Sequence, residues 1–218
     1  MSETINWGRG RSLAGCVSIL TLLAMFPVST ASAANCGDSV AGERIACSCG
    51  DTVVANTKLL ASDPVTRFRC DDNGLRIRAG KSGPSLVLDL NGLSIAGSGS
   101  GIGLHVVEGG ANGVIIVGGA ADRPAEIANF RNGIRATGSV SVRSVSDVMI
   151  KGSLADGLVI RSRGAEIVRV SAEGNGRDGL RIGGSGHAVS AVQASGNGRH
   201  DIRATGRQIM SIEQEVGE

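Results

Sequence analysis

From Asn129 onward the apolar positions alternate with polar ones in short runs, and the runs recur at a fixed distance. Ser153-Leu154-Ala155-Asp156-Gly157-Leu158-Val159-Ile160, Asn175-Gly176-Arg177-Asp178-Gly179-Leu180-Arg181-Ile182 and Asn197-Gly198-Arg199-His200-Asp201-Ile202-Arg203-Ala204 are offset by 22 residues. Asn129-Phe130-Arg131-Asn132-Gly133-Ile134-Arg135-Ala136 precedes the first of them by 24. A second short run follows each: residues 165–170, 187–192 and 207–212. Self-similarity at such a period predicts a solenoid, each unit being strand, Gly-rich turn, strand, polar Gly-Asn turn. A helical repeat is excluded, because the period of the apolar positions is two, β-branched residues are prominent, and Gly takes 34 of 218 positions.

Parallel strands stacked unit on unit lie about 4.8 Å apart, so equivalent positions form columns. Ile134, Leu158, Leu180 and Ile202 form a column predicted to point inward. Asn129, Ser153, Asn175 and Asn197 form a second, in which a turn amide can bond the backbone of the next unit. The N-terminal half is less regular. Residues 86–96 predict two short strands about a turn, and Val106-Val107 and Val114–Val117 two more.

The first 33 residues stand apart. Arg9 and Arg11, an apolar run from Leu13 to Phe26, Pro27 and Ala31-Ser32-Ala33 have the order of a secretory signal peptide. The apolar run is too short to span a bilayer. Leu13-Ala14-Gly15-Cys16 looks like a lipoprotein cleavage box, but most of the apolar run follows the cysteine instead of preceding it. Without the signal the net charge falls from +2 to +1 and the only aromatics are Phe68 and Phe130. That balance argues against nucleic acid and anionic membrane as partners, and it removes the stacking platform of a lectin or a single-strand binder.

Four cysteines remain, Cys36, Cys47, Cys49 and Cys70. An even number in an exported chain points to two disulfides, with three possible connectivities. Zinc is disfavoured, since Cys47 and Cys49 are only one residue apart and no histidine is near. Cys49 and Cys70 are about one repeat apart, which pairs them across neighbouring units and leaves Cys36 with Cys47 to staple the open N-terminal end. The organisation expected is a signal over 1–33, a cysteine-containing cap and first coil over 34–70, the repeat array over 71–212 and an acidic tail over 213–218. A secreted or periplasmic location follows.

Cys49-Gly50-Asp51-Thr52-Val53, the phrase Leu88-Asp89-Leu90-Asn91-Gly92-Leu93-Ser94-Ile95-Ala96-Gly97 and the Asp-Gly-Leu repeats carry a resemblance over about residues 47–206. The chain resembles bacterial right-handed parallel β-helix repeat proteins, the superfamily that includes pectate-lyase-like and carbohydrate-binding or carbohydrate-hydrolysing β-helices. The resemblance implies an all-β fold, a right-handed single-stranded parallel β-helix with coils of about 22 residues and a disulfide-stapled N-terminal region. It does not transfer a chemistry.

Two functional readings follow. In the first, the chain is a non-catalytic secreted surface or scaffold protein. Arg135, Arg181 and Arg203 follow the inward apolar column, Val159 holds the matching place, and Arg161 stands two residues beyond it. These arginines form a stripe suited to the carboxylates of an acidic polysaccharide; a plain solvated face is the alternative. In the second, the chain is a polysaccharide lyase, hydrolase or epimerase, with Asp156 and Asp178 as the acids and Ca²⁺ entering only in this case. The plain role for the two acids is turn formation before Gly. A lyase of the family's type needs a cluster of acidic ligands with a nearby Arg base, so its catalytic residues are not carried over. No other cofactor or metal is expected. Gly174-Asn175-Gly176-Arg177-Asp178-Gly179 matches a dinucleotide fingerprint but is followed by a strand. Gly183-Gly184-Ser185-Gly186 opens like a Ca²⁺-binding nonapeptide, but His187 follows where an Asp is wanted. His105, His187 and His200 are far apart in sequence without ligand spacing, and solvated turn positions are expected for them. With six residues beyond Ile212, the last unit lacks a capping helix, so either weak end-to-end self-association or a chain shorter than its relatives is expected.

Overall fold

A computed structural model describes residues 35–40, 43–206 and 209–214. The segment read as a signal peptide lies outside the described residues. The described residues fold as mostly parallel β-structure in two large sheets, with a two-stranded antiparallel pair, Ser39–Val40 and Glu43–Arg44, and one four-residue helix, Pro64–Arg67. The first sheet runs in chain order through Asn35–Cys36, Thr52–Val53, Leu75–Arg78, Ile102–Glu108, Asn132–Ala136, Leu158–Arg163, Asp178–Ser185 and His200–Thr205. The second runs through Thr57–Lys58, Leu86–Asp89, Val114–Val117, Val142–Lys151, Glu166–Glu173, His187–Ser195 and Ile209–Gln214, with the short strands Ser94–Ala96 and Ala125–Ala128 beside it. The chain therefore visits the two sheets alternately, and each strand pairs with its counterpart one repeat before and after.

The register follows the periodicity of the sequence. Ile134 pairs with Leu158, Leu158 with Leu180 and Leu180 with Ile202. Leu104 and Leu75 continue this column upstream. Opposite it, the second sheet stacks Leu88, Ile116, Val145, Ile167 and Val189. All of these except Ile202 are fully buried, and each contributes roughly 1.5–3 kcal/mol. Alternation along each strand sends one side chain inward and the next outward, so the same pattern that builds the core lines up the outward columns.

The turn column needs one correction. Asn175 Oδ1 accepts from the Ser153 N–H and Asn197 Oδ1 from the Asn175 N–H, each at 3.0 Å, while the two Nδ2 atoms donate to Ile150 O and Ala172 O. Asn129 does not belong to this ladder. Its N–H donates to Lys151 O as the Gly152 N–H does to Glu173 O, and its φ of 58° matches 62°, 60° and 64° at Gly152, Gly174 and Gly196. Phe130 stands in the ladder position instead, fully buried. Ala125 pairs with Val148 before this turn and Ile134 with Leu158 after it, so the step between repeats lengthens across the turn. Leu154, two-thirds exposed, takes the place held by Gly176 and Gly198 in the later repeats and has no counterpart between Phe130 and Arg131, where the turn is one residue shorter.

The close stacking of the turns explains the glycine of each Asp-Gly-Leu. A Cβ on Gly157 would lie 2.6 Å from the backbone oxygen of Gly179 and 2.9 Å from Asn175 Nδ2, and one on Gly179 2.6 Å from both the Asp201 backbone oxygen and Asn197 Nδ2. In the next repeat this position is Asp201, whose Oδ1 takes the Asn197 N–H and Nδ2 at 3.3 and 2.8 Å. A carboxylate thus serves where the two repeats before have a further asparagine. Gly179→Ala is expected to destabilise by about 1–3 kcal/mol through overpacking, read as a lower urea midpoint. An unchanged midpoint would mean that the stacked turn makes room for the methyl group without cost.

Cys36–Cys47 and Cys49–Cys70 are both disulfide-bonded, as the spacing predicts. Beside them Asp63, fully buried, receives both terminal nitrogens of Arg44 at 2.7 and 2.8 Å and the N–H groups of Leu60 and Cys47. Two disulfides mark an oxidising compartment, extracellular or periplasmic. Among the described residues no helix is long and apolar enough to cross a membrane. At the other end Glu213 and Gln214, read as part of an acidic tail, belong to the last strand, where Gln214 pairs with Val192.

Candidate functional site

The outward column of the first sheet carries the arginines read from the sequence. Arg135, Val159, Arg181 and Arg203 are in register on successive strands. Arg76 and His105 extend the column toward the N-terminus. Burial, reinforced by the charges of Arg135 and Arg76, lowers the His105 pKa below its ordinary value. That imidazole is therefore neutral at neutral pH, and the positive charge of the column comes from guanidinium groups alone.

A second arginine column, not recognised in the sequence, runs parallel to the first. The Ala155 N–H donates to Arg131 O, the Arg177 N–H to Ala155 O and the Arg199 N–H to Arg177 O, which stacks Arg131, Ala155, Arg177 and Arg199. The signal is present in the chain: Arg131/Arg135, Arg177/Arg181 and Arg199/Arg203 share one spacing of four. In one repeat both places are small, Ala155 and Val159. That repeat forms the floor of a groove of about 480 Å³, with Arg131 and Arg135 on one wall and Arg177 and Arg181 on the other. The two walls belong to strands two apart, so their backbones are roughly 10 Å from each other. Arg161, exposed, rises from the floor strand itself and lines the far end of the groove.

The two acids singled out as catalytic candidates come together on this face, but as anchors. Asp156 and Asp178 are in adjacent repeats, and the Asp178 N–H donates to Asp156 Oδ1 at 3.3 Å. This bond crosses to a neighbouring repeat, so the carboxylate is not bonding its own turn as expected of Asp before Gly. Asp156 is in ion-pair contact with Arg177 at 3.7 Å and Arg181 at 3.5 Å. Asp178 is fully buried; its Oδ1 lies 2.9 Å from His200 Nδ1 and its Oδ2 3.8 Å from Arg203. Each acid thus takes an arginine of the following repeat.

The four arginines of the stripe therefore differ. Arg181 and Arg203 are held by carboxylates. Arg135 and Arg161, together with Arg131, have no carboxylate in ion-pair contact among the described residues. Arg135 has only a long contact to Thr137 Oγ1 at 3.4 Å. Asp72 and Asp156 also line the groove, Asp156 in ion-pair contact with Arg177 and Arg181, so five guanidinium groups face two carboxylates and the excess positive charge makes a site for oxyanions, which Arg can bind in bidentate fashion. No aromatic ring lines the groove: Phe130 is in the core, and Phe68 follows the short helix. Among the described residues no three His, Cys, Asp or Glu side chains are placed to hold a metal ion.

His187, expected at a solvated turn, is instead buried at the start of the strand His187–Ser195, away from the groove. Its Nδ1 faces the Ala165 N–H at 3.2 Å and its Nε2 lies 3.3 Å from Gly183 O. Accepting at one nitrogen and donating at the other assigns the Nε2–H tautomer and a structural role. No family model, curated protein or solved structure matches this chain.

Proposed function

We propose that this chain is a secreted or periplasmic right-handed parallel β-helix whose first sheet binds an acidic polysaccharide without cleaving it. The reading of the fold rests on strands that alternate between two parallel sheets and recur at a fixed period. The reading of the function rests on one observation: five arginines, Arg131, Arg135, Arg161, Arg177 and Arg181, line a groove with two carboxylates, Asp72 and Asp156, and among the described residues Arg131, Arg135 and Arg161 have no carboxylate in ion-pair contact. A polymer carrying one carboxylate per sugar supplies the missing charge at several points. The lyase, hydrolase or epimerase alternative would use Asp156 and Asp178. A catalytic acid must reach its substrate, and Asp178 is fully buried against His200 and Arg203, so the pair is better suited to orienting arginines.

Binding of polygalacturonate, alginate and neutral dextran to the disulfide-bonded protein tests this. The acidic polymers are expected to bind and dextran not. Without stacking aromatics the affinity is electrostatic and falls steeply between about 50 and 500 mM salt, conditions chosen to span strong and weak screening, about 14 to 4 Å of Debye length. Arg135→Ala with Arg161→Ala is expected to weaken binding by roughly tenfold or more, the equivalent of one charge-assisted hydrogen bond or two. Equal affinity for dextran, or full affinity in the double variant, would show that the groove is a solvated face.

A further inference from the structure

A second depression adjoins the groove, and Arg161 lines both. Beyond Arg161 the chain places Arg163 on the same outward face, two residues further along the strand. In the next repeat the residues paired with Arg161 and Ser162 are Gly183 and Gly184, so no side chain rises there, and Thr205 follows beside Gly183. The loop of Gly138, Ser139, Val140 and Ser141 walls the other side. The depression therefore combines two guanidinium groups, the hydroxyls of Ser139, Ser141 and Thr205, and a floor of glycine. Arg163, like Arg161, has no carboxylate in ion-pair contact among the described residues.

We infer that this depression is a second anion subsite, and that the ligand is a linear acidic oligosaccharide lying along the strand direction, across the stacking direction, with acidic groups more than one sugar apart at Arg131/Arg135 and at Arg161/Arg163. The direction follows from the small residues. Ala155, Val159, Gly183 and Gly184 open a path that runs from the start of the strands toward their ends, whereas along the stacking direction Arg177/Arg181 and Arg199/Arg203 stand in successive repeats as barriers. From Val159 to Arg163 the strand advances by about 13 Å, further than one sugar reaches, so the two subsites need an oligomer. The hydroxyls accept or donate to the sugar's own hydroxyls, which an inorganic anion lacks. The inference rests on the acidic-polysaccharide reading and adds the ligand's direction and its second contact.

Calorimetric titration with galacturonate oligomers of one to six units tests it. Affinity is expected to rise with length until both subsites are filled and then level off. Arg163→Ala is expected to weaken the hexamer about tenfold while leaving the dimer's affinity unchanged, with the thermal midpoint unmoved because Arg163 is exposed. Arg203→Ala serves as the opposite arm. A hexamer that loses affinity in Arg203→Ala and keeps it in Arg163→Ala lies along the stacking direction, which overturns the inference and leaves the acidic-polysaccharide reading standing. A hexamer that binds no better than the dimer also removes the second subsite. Failure of every oligomer and of both acidic polymers would overturn the two readings together.

Discussion

Leu180→Asp is expected to lower stability by on the order of 5 kcal/mol, because it places a carboxylate without a partner in the fully buried column between Leu158 and Ile202. The folded fraction in urea, followed by circular dichroism, reads the change. An outward neighbour supplies the control. By alternation alone Arg181 points outward and Arg181→Asp looks harmless. Yet Arg181 is 3.5 Å from Asp156, which is itself buried, so a second carboxylate there adds repulsion to a lost ion pair. Arg135→Asp, exposed and without an ion-pair partner among the described residues, is the better control and should move the midpoint little. The expected order of stability is wild type and Arg135→Asp together, then Arg181→Asp, then Leu180→Asp. Equal midpoints for Leu180→Asp and Arg135→Asp would contradict the inward column.

Loss of the Asp63 carboxylate is expected to cost about 3–5 kcal/mol, the usual penalty for breaking a buried pair from one side. Asp63→Ala leaves the Arg44 guanidinium and the N–H groups of Leu60 and Cys47 without their acceptor. The same contacts set a pH dependence. Burial pushes the Asp63 pKa up, but the hydrogen bonds from Arg44, Leu60 and Cys47 outweigh it and hold the carboxyl below its ordinary value. The folded state therefore binds its proton less readily than the unfolded chain, whose Asp titrates near about 3.9. The stabilisation is complete above that range and disappears as pH falls through and below it. Between pH 6 and pH 3 the wild type should lose stability that Asp63→Asn has already lost at pH 6. Parallel pH profiles for the two proteins would exclude Asp63 as the source.

The repeat period, the inward column, both disulfide pairings and the outward position of Arg135, Arg181 and Arg203 were legible in the chain. The reason is that parallel strands in register turn a linear period into a spatial column, so a fixed spacing and a polar-apolar alternation suffice to state which residues are neighbours. The same logic left one arginine column unread, although Arg131, Arg177 and Arg199 repeat as regularly as the first. Tertiary structure decided what periodicity does not encode. The turn at Phe130–Arg131, one residue shorter than the turns after it, leaves Asn129 outside the asparagine ladder and Phe130 in its place, since the register across an irregular turn is settled by which residue packs and not by which residue recurs. The buried Asp63–Arg44 pair joins two points of the irregular N-terminal region, where no repeat predicts it. Above all, four arginines that look alike in the sequence became two kinds. Coulomb attraction depends on distance and burial, and only the folded geometry brings Asp156 to Arg181 and Asp178 to Arg203 while leaving Arg135 and Arg161 open to an anion from outside.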